Sequence, residues 1–402
     1  MMEALEHDSF TDRKYKVFTT ILFWTALVVL CSLYMTIPLL PVFEAEFAVT
    51  SNQAAWVGSI FSLFFALGCL FFGIVSEKYG LKRVMIFGLF FISMMAILVG
   101  TANSFQQLLL YRALQGLVCA TFSPVALTYV GTVFPIRHRV GTIGMLSLGF
   151  LMAGIIGQLI SSYFEPIWGW RAVFYLLGGI YGLTTVLMMF LPREETVNDN
   201  SIIMVLKKMI LPFQNKLIVL IYMIAITILL SFVGMYTALG NYLAEGFGFS
   251  AQQIFLVRAI GIIGIAFSPL AGLFIYKFGI SRVLNAGLIV STVGLFSMGM
   301  SGSLGLTIFM SVVFVAGIAT VVPTLIAFVG QLGGSNKGVV TSIYVFILFV
   351  GASLGPVLAT FILQVTDSRW SFFILGVLLT ASLLLSMLIG KLKTKTQKEQ
   401  VA

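Results

Sequence analysis

The sequence predicts an all-α integral membrane protein, with twelve transmembrane helices in two pseudo-symmetric six-helix bundles. Three observations lead there. Of the 402 residues, 59% are hydrophobic and only 9% charged, where a soluble domain has about 25% charged. The apolar residues fall in twelve runs, each near the roughly 20 residues that a spanning helix needs. A charged loop between two runs of the first half also recurs in the second.

The runs are 17–43, 54–76, 84–102, 105–130, 140–164, 169–191, 215–243, 251–277, 281–301, 304–330, 337–363 and 369–390. Stretches such as IFGLFFISMMAILVG do not alternate in polarity, unlike β-barrel strands. In lipid the backbone must satisfy its own hydrogen bonds, so the runs are helices. The first follows Arg13, Lys14 and Lys16, as in the basic region of a signal peptide. It continues for about 25 residues without an A-x-A site, however, where a signal core has about 7–15. It reads as a retained span.

Orientation follows from the basic residues. With both termini inside, all but four of the 23 Lys and Arg lie on the cytoplasmic side. The exceptions are Arg171 and Arg369 outside, and Arg112 and Arg258 within spans. This asymmetry accounts for the net charge of +9 without nucleic acid as a partner. Cys31, Cys69 and Cys119 all lie in apolar runs. An odd, dispersed set argues against a disulfide framework or a zinc site, and no metal or cofactor is expected.

The repeat defines the domains. GIVSEKYGLKRV (73–84) matches GLFIYKFGISRV (272–283) in outline with an offset of 199: Gly73, Lys78, Gly80, Arg83 and Val84 recur as Gly272, Lys277, Gly279, Arg282 and Val283, whereas Tyr276 stands in place of Glu77. SNQAAWVGSIF (51–61) parallels SAQQIFLVRAI (250–260), and Pro124 parallels Pro323. The expected units are a six-helix bundle over 1–191, a linker over 192–214, and a second bundle with a basic tail over 215–402. In the linker, Ile202, Ile203, Val205, Leu206, Met209 and Ile210 recur at helical spacing, with Lys207 and Lys208 opposite and Ser201 as a potential cap. That pattern suits a short amphipathic helix, either on the membrane surface or packed on the bundles.

Two six-span halves joined by a cytoplasmic linker are the arrangement of rocker-switch transporters, whose substrate site lies at the repeat interface near the midplane. The chain resembles the major facilitator superfamily, in particular its twelve-span drug:proton antiporter and sugar-efflux permease branch. The resemblance covers nearly the whole chain. The loop at 73–84 is similar to the family signature between spans 2 and 3, with Glu77 where Asp is usual. LLYRALQGLVCA (109–120) resembles the fourth-span motif, with Arg112, Gln115 and Gly116 in place. GFLMAGIIGQ (149–158) only loosely resembles the fifth-span antiporter motif, because Ala153 and Gly154 stand where Gly-Pro is usual. GASLGP (351–356) in span 11 has that Gly and Pro.

Each candidate residue has a physical reason. Gly73 lets another helix approach closely, and Gly80 allows a turn with positive φ. Glu77 stands at the inner boundary, where an acid favours a cation or a helix N-terminus. Span 11 starts on the same side, near Lys337. The resemblance implies an inner gate made of Gly73, Glu77, Gly80 and Arg83. The alternative for the loop is a tight turn with charges that only set topology. Arg112 lies about seven residues inside span 4, where a cation costs a few kcal/mol or more. It needs a partner or a water-filled cavity, or it snorkels outward. The resemblance implies a role in the outer gate or in proton coupling, with Gln115 beside it.

None of the fourteen acids lies at the middle of a span. Either Glu44 or Glu46, at the end of span 1, serves in coupling by approaching Arg112, or the coupling is absent or unusual. Arg258, equally deep in span 8, binds an anionic group, pairs with an acid or snorkels. Tyr34, Ser123, Gln158, Tyr236, Asn241 and Tyr344 are the other polar candidates for a substrate cavity. The expected function is secondary transport of a small organic or amphipathic molecule, export by proton antiport, in a bacterial inner or plasma membrane. The partners are the substrate, a coupling proton and the bilayer, and the expected state is a monomer. The alternative is uptake or facilitated diffusion of an organic anion or metabolite through Arg112 and Arg258. An enzyme is disfavoured because no P-loop, metal-ligand cluster or paired intramembrane carboxylate occurs.

Overall fold

The computed structural model describes residues 2–194 and 209–401. The first half contains α1 (Met2–Tyr34), α2 (Leu40–Phe47), α3 (Ser51–Tyr79), α4 (Leu81–Gly100), α5 (Phe105–Cys119), α6 (Ser123–Val133) and α7 (Ile136–Met188). The second contains α8 (Leu211–Gln214), α9 (Lys216–Phe247), α10 (Ala251–Ile260), α11 (Ile262–Ile265), α12 (Ala271–Phe278), α13 (Ile280–Met300), α14 (Leu304–Leu332), α15 (Lys337–Val365) and α16 (Ser368–Val401).

Among the described residues, eleven helical stretches are long and apolar enough to cross a bilayer. One of them, α7, has 53 residues and a break at Gly169, where φ is 79° and ψ 163°. At 1.5 Å per residue it measures about 80 Å, more than two hydrocarbon cores of about 30 Å. It is spans 5 and 6 joined at a glycine turn, so the described residues hold twelve spans.

Several spans are interrupted near prolines, where discontinuities are expected, and two prolines leave their helices unbroken. The run at 17–43 stops at Tyr34 and turns through 35–39 before α2 begins. Pro38 has no N–H to continue α1, and Pro41 sits in the first turn of α2, where no N–H is needed. Span 4 breaks between α5 and α6, just ahead of Pro124. Span 8 is divided among α10, α11 and α12, with a 3₁₀ turn at Ser268–Leu270 around Pro269. Pro323 and Pro356, by contrast, lie inside continuous helices. The linker positions Ser201, Ile202, Ile203, Val205, Leu206, Lys207 and Lys208 lie outside the described residues. Met209 and Ile210 form a turn into the four-residue α8.

The chain divides into two compact units, with a boundary between residues 206 and 207. The first also takes in Lys337–Ser342, the start of α15. Within it, α7 packs along α1 and α4, and α3 packs on α5. Within the second, α16 packs along α9 and α13, and α13 packs on α14. The same neighbours meet in both: the first span of each half with its sixth, and the third with its fourth and sixth.

Local chemistry repeats as well. Thr50 caps α3 and Ser250 caps α10, each in a reciprocal capping box with Gln53 or Gln253. The caps align at an offset of 200, one residue from the register read off the sequence, because it is the hydroxyl and the glutamine three positions on that define the helix start. Gly80 and Gly279 take φ of 97° and 85°, the same turn in both loops. Spans 1 and 5 meet backbone to backbone. A Cβ on Gly149 or Gly157 would lie 2.8 Å from the carbonyl oxygen of Phe23 or Cys31. In the second unit, a Cβ on Gly355 would lie 2.5 Å from the Leu230 oxygen, and Gly351 leaves no room beside Ile226. These glycines allow the close helix approach typical of membrane interiors.

Candidate functional site

The site begins at the last turn of α3. The helix continues to Tyr79, so Glu77 is helical and half-buried rather than part of a loop. The place that a Cβ on Gly73 would take is filled by the side chain of Ser342. The place that a Cβ on Gly338 would take is filled by the Glu77 carboxyl oxygen, with Cδ and the Cγ methylene each 3.1 Å away. The start of α15 therefore docks on α3 within one compact unit, glycine against side chain in both directions. The first-turn amides of a helix lack intrahelical acceptors and favour a nearby carboxylate. The second copy of the loop has no such arrangement: Tyr276 is 94% exposed. Arg83 is also exposed and lines a groove with Phe87 and Phe91 instead of joining Glu77.

The other side of the same loop grips the end of span 6. Lys82 Nζ donates to the carbonyl of Met189 at 2.8 Å and to that of Leu191. In return, the backbone N–H of Lys82 donates to Glu194 Oε2 at 3.3 Å. Tyr129 donates its hydroxyl to the Pro192 carbonyl at 2.6 Å. A cation thus closes the C-terminal end of one helix, and an acid closes the N-terminal end of another. Sequence reasoning gave Lys82 only a topological role and missed Glu194. The available signal was the acid directly after span 6, in PREE.

Arg112 is fully buried in unit 1 and all its hydrogen-bond partners are neutral. Its Nη1 donates to Gln115 Oε1 at 2.6 Å, its Nη2 to the Ser32 carbonyl at 2.9 Å, and its Nε to the Val57 carbonyl at 3.3 Å. The guanidinium carbon lies 4.2 Å from the centre of the Phe61 ring. Gln115 Nε2 donates to Ser32 Oγ at 3.3 Å, and that hydroxyl shares a 2.5 Å bond with Tyr181. Tyr181 bonds on to the Val28 carbonyl at 3.0 Å. Arg112 and Gln115 come together on α5. Tyr181 was missed, because nothing in its local sequence marks it.

The two acids proposed beside Arg112 lie elsewhere. Glu46 pairs with Arg171 at 2.8 Å on an exposed surface. Glu44 is half-buried on α2 and is not among the groups bonded to Arg112. The break after Tyr34 is the reason: it turns the chain into α2 and carries both acids out of span 1.

The cavity candidates separate into two kinds. Asn241 is fully engaged, donating to Glu245 at 2.9 Å and accepting from Ser368 at 2.8 Å. Gln158 donates to the Gly154 carbonyl one turn back, at 2.5 Å, and the Tyr34 ring lies 3.8 Å from where a Gly154 Cβ would stand. Ser123 Oγ and Tyr344 Oη are buried without a partner among the described residues. Arg258 donates through Nη2 to the Tyr236 carbonyl at 2.9 Å, while its Nε is buried and unpartnered. Gly240 and Gly261 make room for the Arg258 head and the Tyr236 hydroxyl. The three cysteines are buried and free.

Comparison with known proteins agrees with this architecture. The family model of the Major Facilitator Superfamily matches residues 22–267 and 217–402. An uncharacterized transporter of Buchnera aphidicola subsp. Baizongia pistaciae is 26% identical over 399 residues, covering 94% of this chain and 96% of its own. The multidrug resistance protein MdtG of Klebsiella pneumoniae is 27% identical over 276 residues, 66% of each chain. Among solved structures, the human organic anion transporter MFSD10 superposes with a TM-score of 0.80 at 16% identity, covering 92% of this chain and 99% of its own. The proton:xylose symporter XylE gives 0.73 at 15%, covering 92% and 94%. With both halves matched by the family model and the twelve-span repeat in place, the chain belongs to the major facilitator superfamily.

Proposed function

We propose that this transporter exports small organic, amphipathic molecules by alternating access, with proton antiport as the driving force. The contact of Glu77 with the first turn of α15 at Gly338 carries the reading. The acid and the helix start meet within the first compact unit, at the end of the bundle where the basic residues collect. Opening that end requires the carboxylate to leave its helix terminus, which ties access to one electrostatic contact. Similarity to MdtG supports export of drug-like molecules. Both termini would then lie in the cytoplasm, in keeping with the basic loops. The test is counterflow of amphipathic dyes in proteoliposomes, with and without a pH gradient. Export that accelerates with an opposing proton gradient supports antiport. Counterflow indifferent to the gradient sinks that part of the reading.

A second reading is uptake or facilitated diffusion of an organic anion. It is favoured by the unpartnered Nε of Arg258 and by the neutral surroundings of Arg112. A fork of donors with one position open suits a carboxylate. Counterflow with a labelled panel of organic anions, repeated with Arg258→Gln, decides it. Anion exchange that survives the substitution rules Arg258 out as the binding group.

A further inference from the structure

Two grooves lie at matching positions in the two halves. The one in the second half has a volume of about 730 Å³ and is bounded by α12, α13 and α14. Phe274, Phe278, Val290 and Phe309 form its walls, and Gly287 and Gly317 lie in its floor. Its counterpart, about 480 Å³, uses Val75, Tyr79, Phe91 and Gly88. Each has a single arginine, Arg282 or Arg83, and a single threonine, Thr320 or Thr121. The pairs Val75 and Phe274, Tyr79 and Phe278, Arg83 and Arg282, and Thr121 and Thr320 keep the 199-residue offset of the repeat.

The larger groove has a definite polarity. Arg282 stands in the first turn of α13, beside the Gly279 turn and the exposed Lys277. From there the apolar walls continue to Val290, eight residues on, or about 12 Å along the helix. That is close to the depth of one leaflet of a hydrocarbon core about 30 Å thick. Phe309 is 60% exposed, so this wall of the groove is open among the described residues. Arg282 makes no hydrogen bond or ion pair with the described residues.

We propose that this groove binds one anionic phospholipid. The acyl chain lies along the glycine floor between the phenylalanine walls, and the phosphodiester accepts from the Arg282 guanidinium at the membrane boundary. Arginine suits this role because its fork of donors matches two phosphate oxygens at once. Basic pockets between transmembrane helices are a recognised form of anionic-lipid site. Charge complementarity favours an anionic lipid over an uncharged apolar helix of a second copy.

The test uses the purified full chain in phosphatidylcholine nanodiscs, doped with phosphatidylglycerol that carries a photoreactive acyl chain. Labelling is mapped to the segments containing Phe274 and Phe309. Unlabelled phosphatidylglycerol is expected to compete, and added phosphatidylcholine to compete far less. Arg282→Gln is expected to lower groove labelling about tenfold, the loss of one bidentate charged contact. Ala286→Trp, at an exposed groove position, is expected to block the chain while leaving Arg282 intact. Thermal unfolding of both variants without added anionic lipid separates lost binding from lost folding, and Arg282→Lys offers a milder change if Arg282→Gln fails to fold. Groove labelling that equals the rest of the apolar surface and resists both main substitutions overturns the proposal. So does a wild-type dimer that Ala286→Trp converts to monomer, because the occupant is then a second copy.

Discussion

The carboxyl group of Glu77 occupies the space that a side chain on Gly338 would need. The contact joins the end of α3 to the start of α15 and depends on both residues. Glu77→Gln is expected to keep the fold and lower transport about tenfold. A carboxylate at a partly buried helix start contributes up to about 2 kcal/mol, and 1.4 kcal/mol is tenfold. Gly338→Ala is expected to act in the same direction by displacing the carboxyl. Transport by both variants at the wild-type rate in proteoliposomes would remove the gate role.

Arg112 is held by three neutral acceptors and an aromatic face. Arg112→Ala removes all of these and leaves Gln115 and the two carbonyls partly unsatisfied. The expected loss is about 2–3 kcal/mol, since bonds to a charged donor are the stronger ones. Arg112→Lys keeps the charge without the fork geometry, so it is expected to fall between the two. Thermal unfolding in detergent measures both, and equal stability of all three proteins contradicts the network.

The Glu46–Arg171 pair is exposed on both sides, at 39% and 36%. Glu46→Gln is therefore expected to change stability by less than about 1 kcal/mol. It is also expected to leave the dependence of transport on the pH gradient unchanged, because Glu46 meets Arg171 and not the buried Arg112. A lost gradient response in Glu46→Gln would return this acid to the coupling machinery.

The glycines at helix crossings differ sharply from those in open positions. Gly157→Val and Gly351→Val place side chains against the backbones of spans 1 and 7. Overpacking of this kind costs about 1–3 kcal/mol. Gly179 has open space around its Cβ position, so Gly179→Ala is expected to be neutral, or stabilising by up to about 1 kcal/mol through helix propensity. Unfolding midpoints of the three variants in one detergent give the comparison. Similar losses at Gly179 and Gly157 would contradict the assigned helix contacts.

Much of this molecule was legible without coordinates. The apolar runs determined twelve spans, and the repeated loop determined two related halves. Gly80 and Gly279 announced matching turns; of the prolines, Pro38, Pro124 and Pro269 lie at breaks in the helices, whereas Pro323 and Pro356 lie within continuous ones. These features are local: hydropathy, φ preference and the missing N–H of proline act on a residue and its near neighbours in the chain. Partnerships were decided only by tertiary structure. Glu46 reaches Arg171, which is 125 residues away in sequence, because α2 turns out of span 1. Glu194 caps α4 from a distance of 112 residues, and Tyr181 joins the Arg112 network from span 6. Which charge meets which donor depends on how helices cross and which face each one presents. That is a property of packing, and no spacing along the chain encodes it.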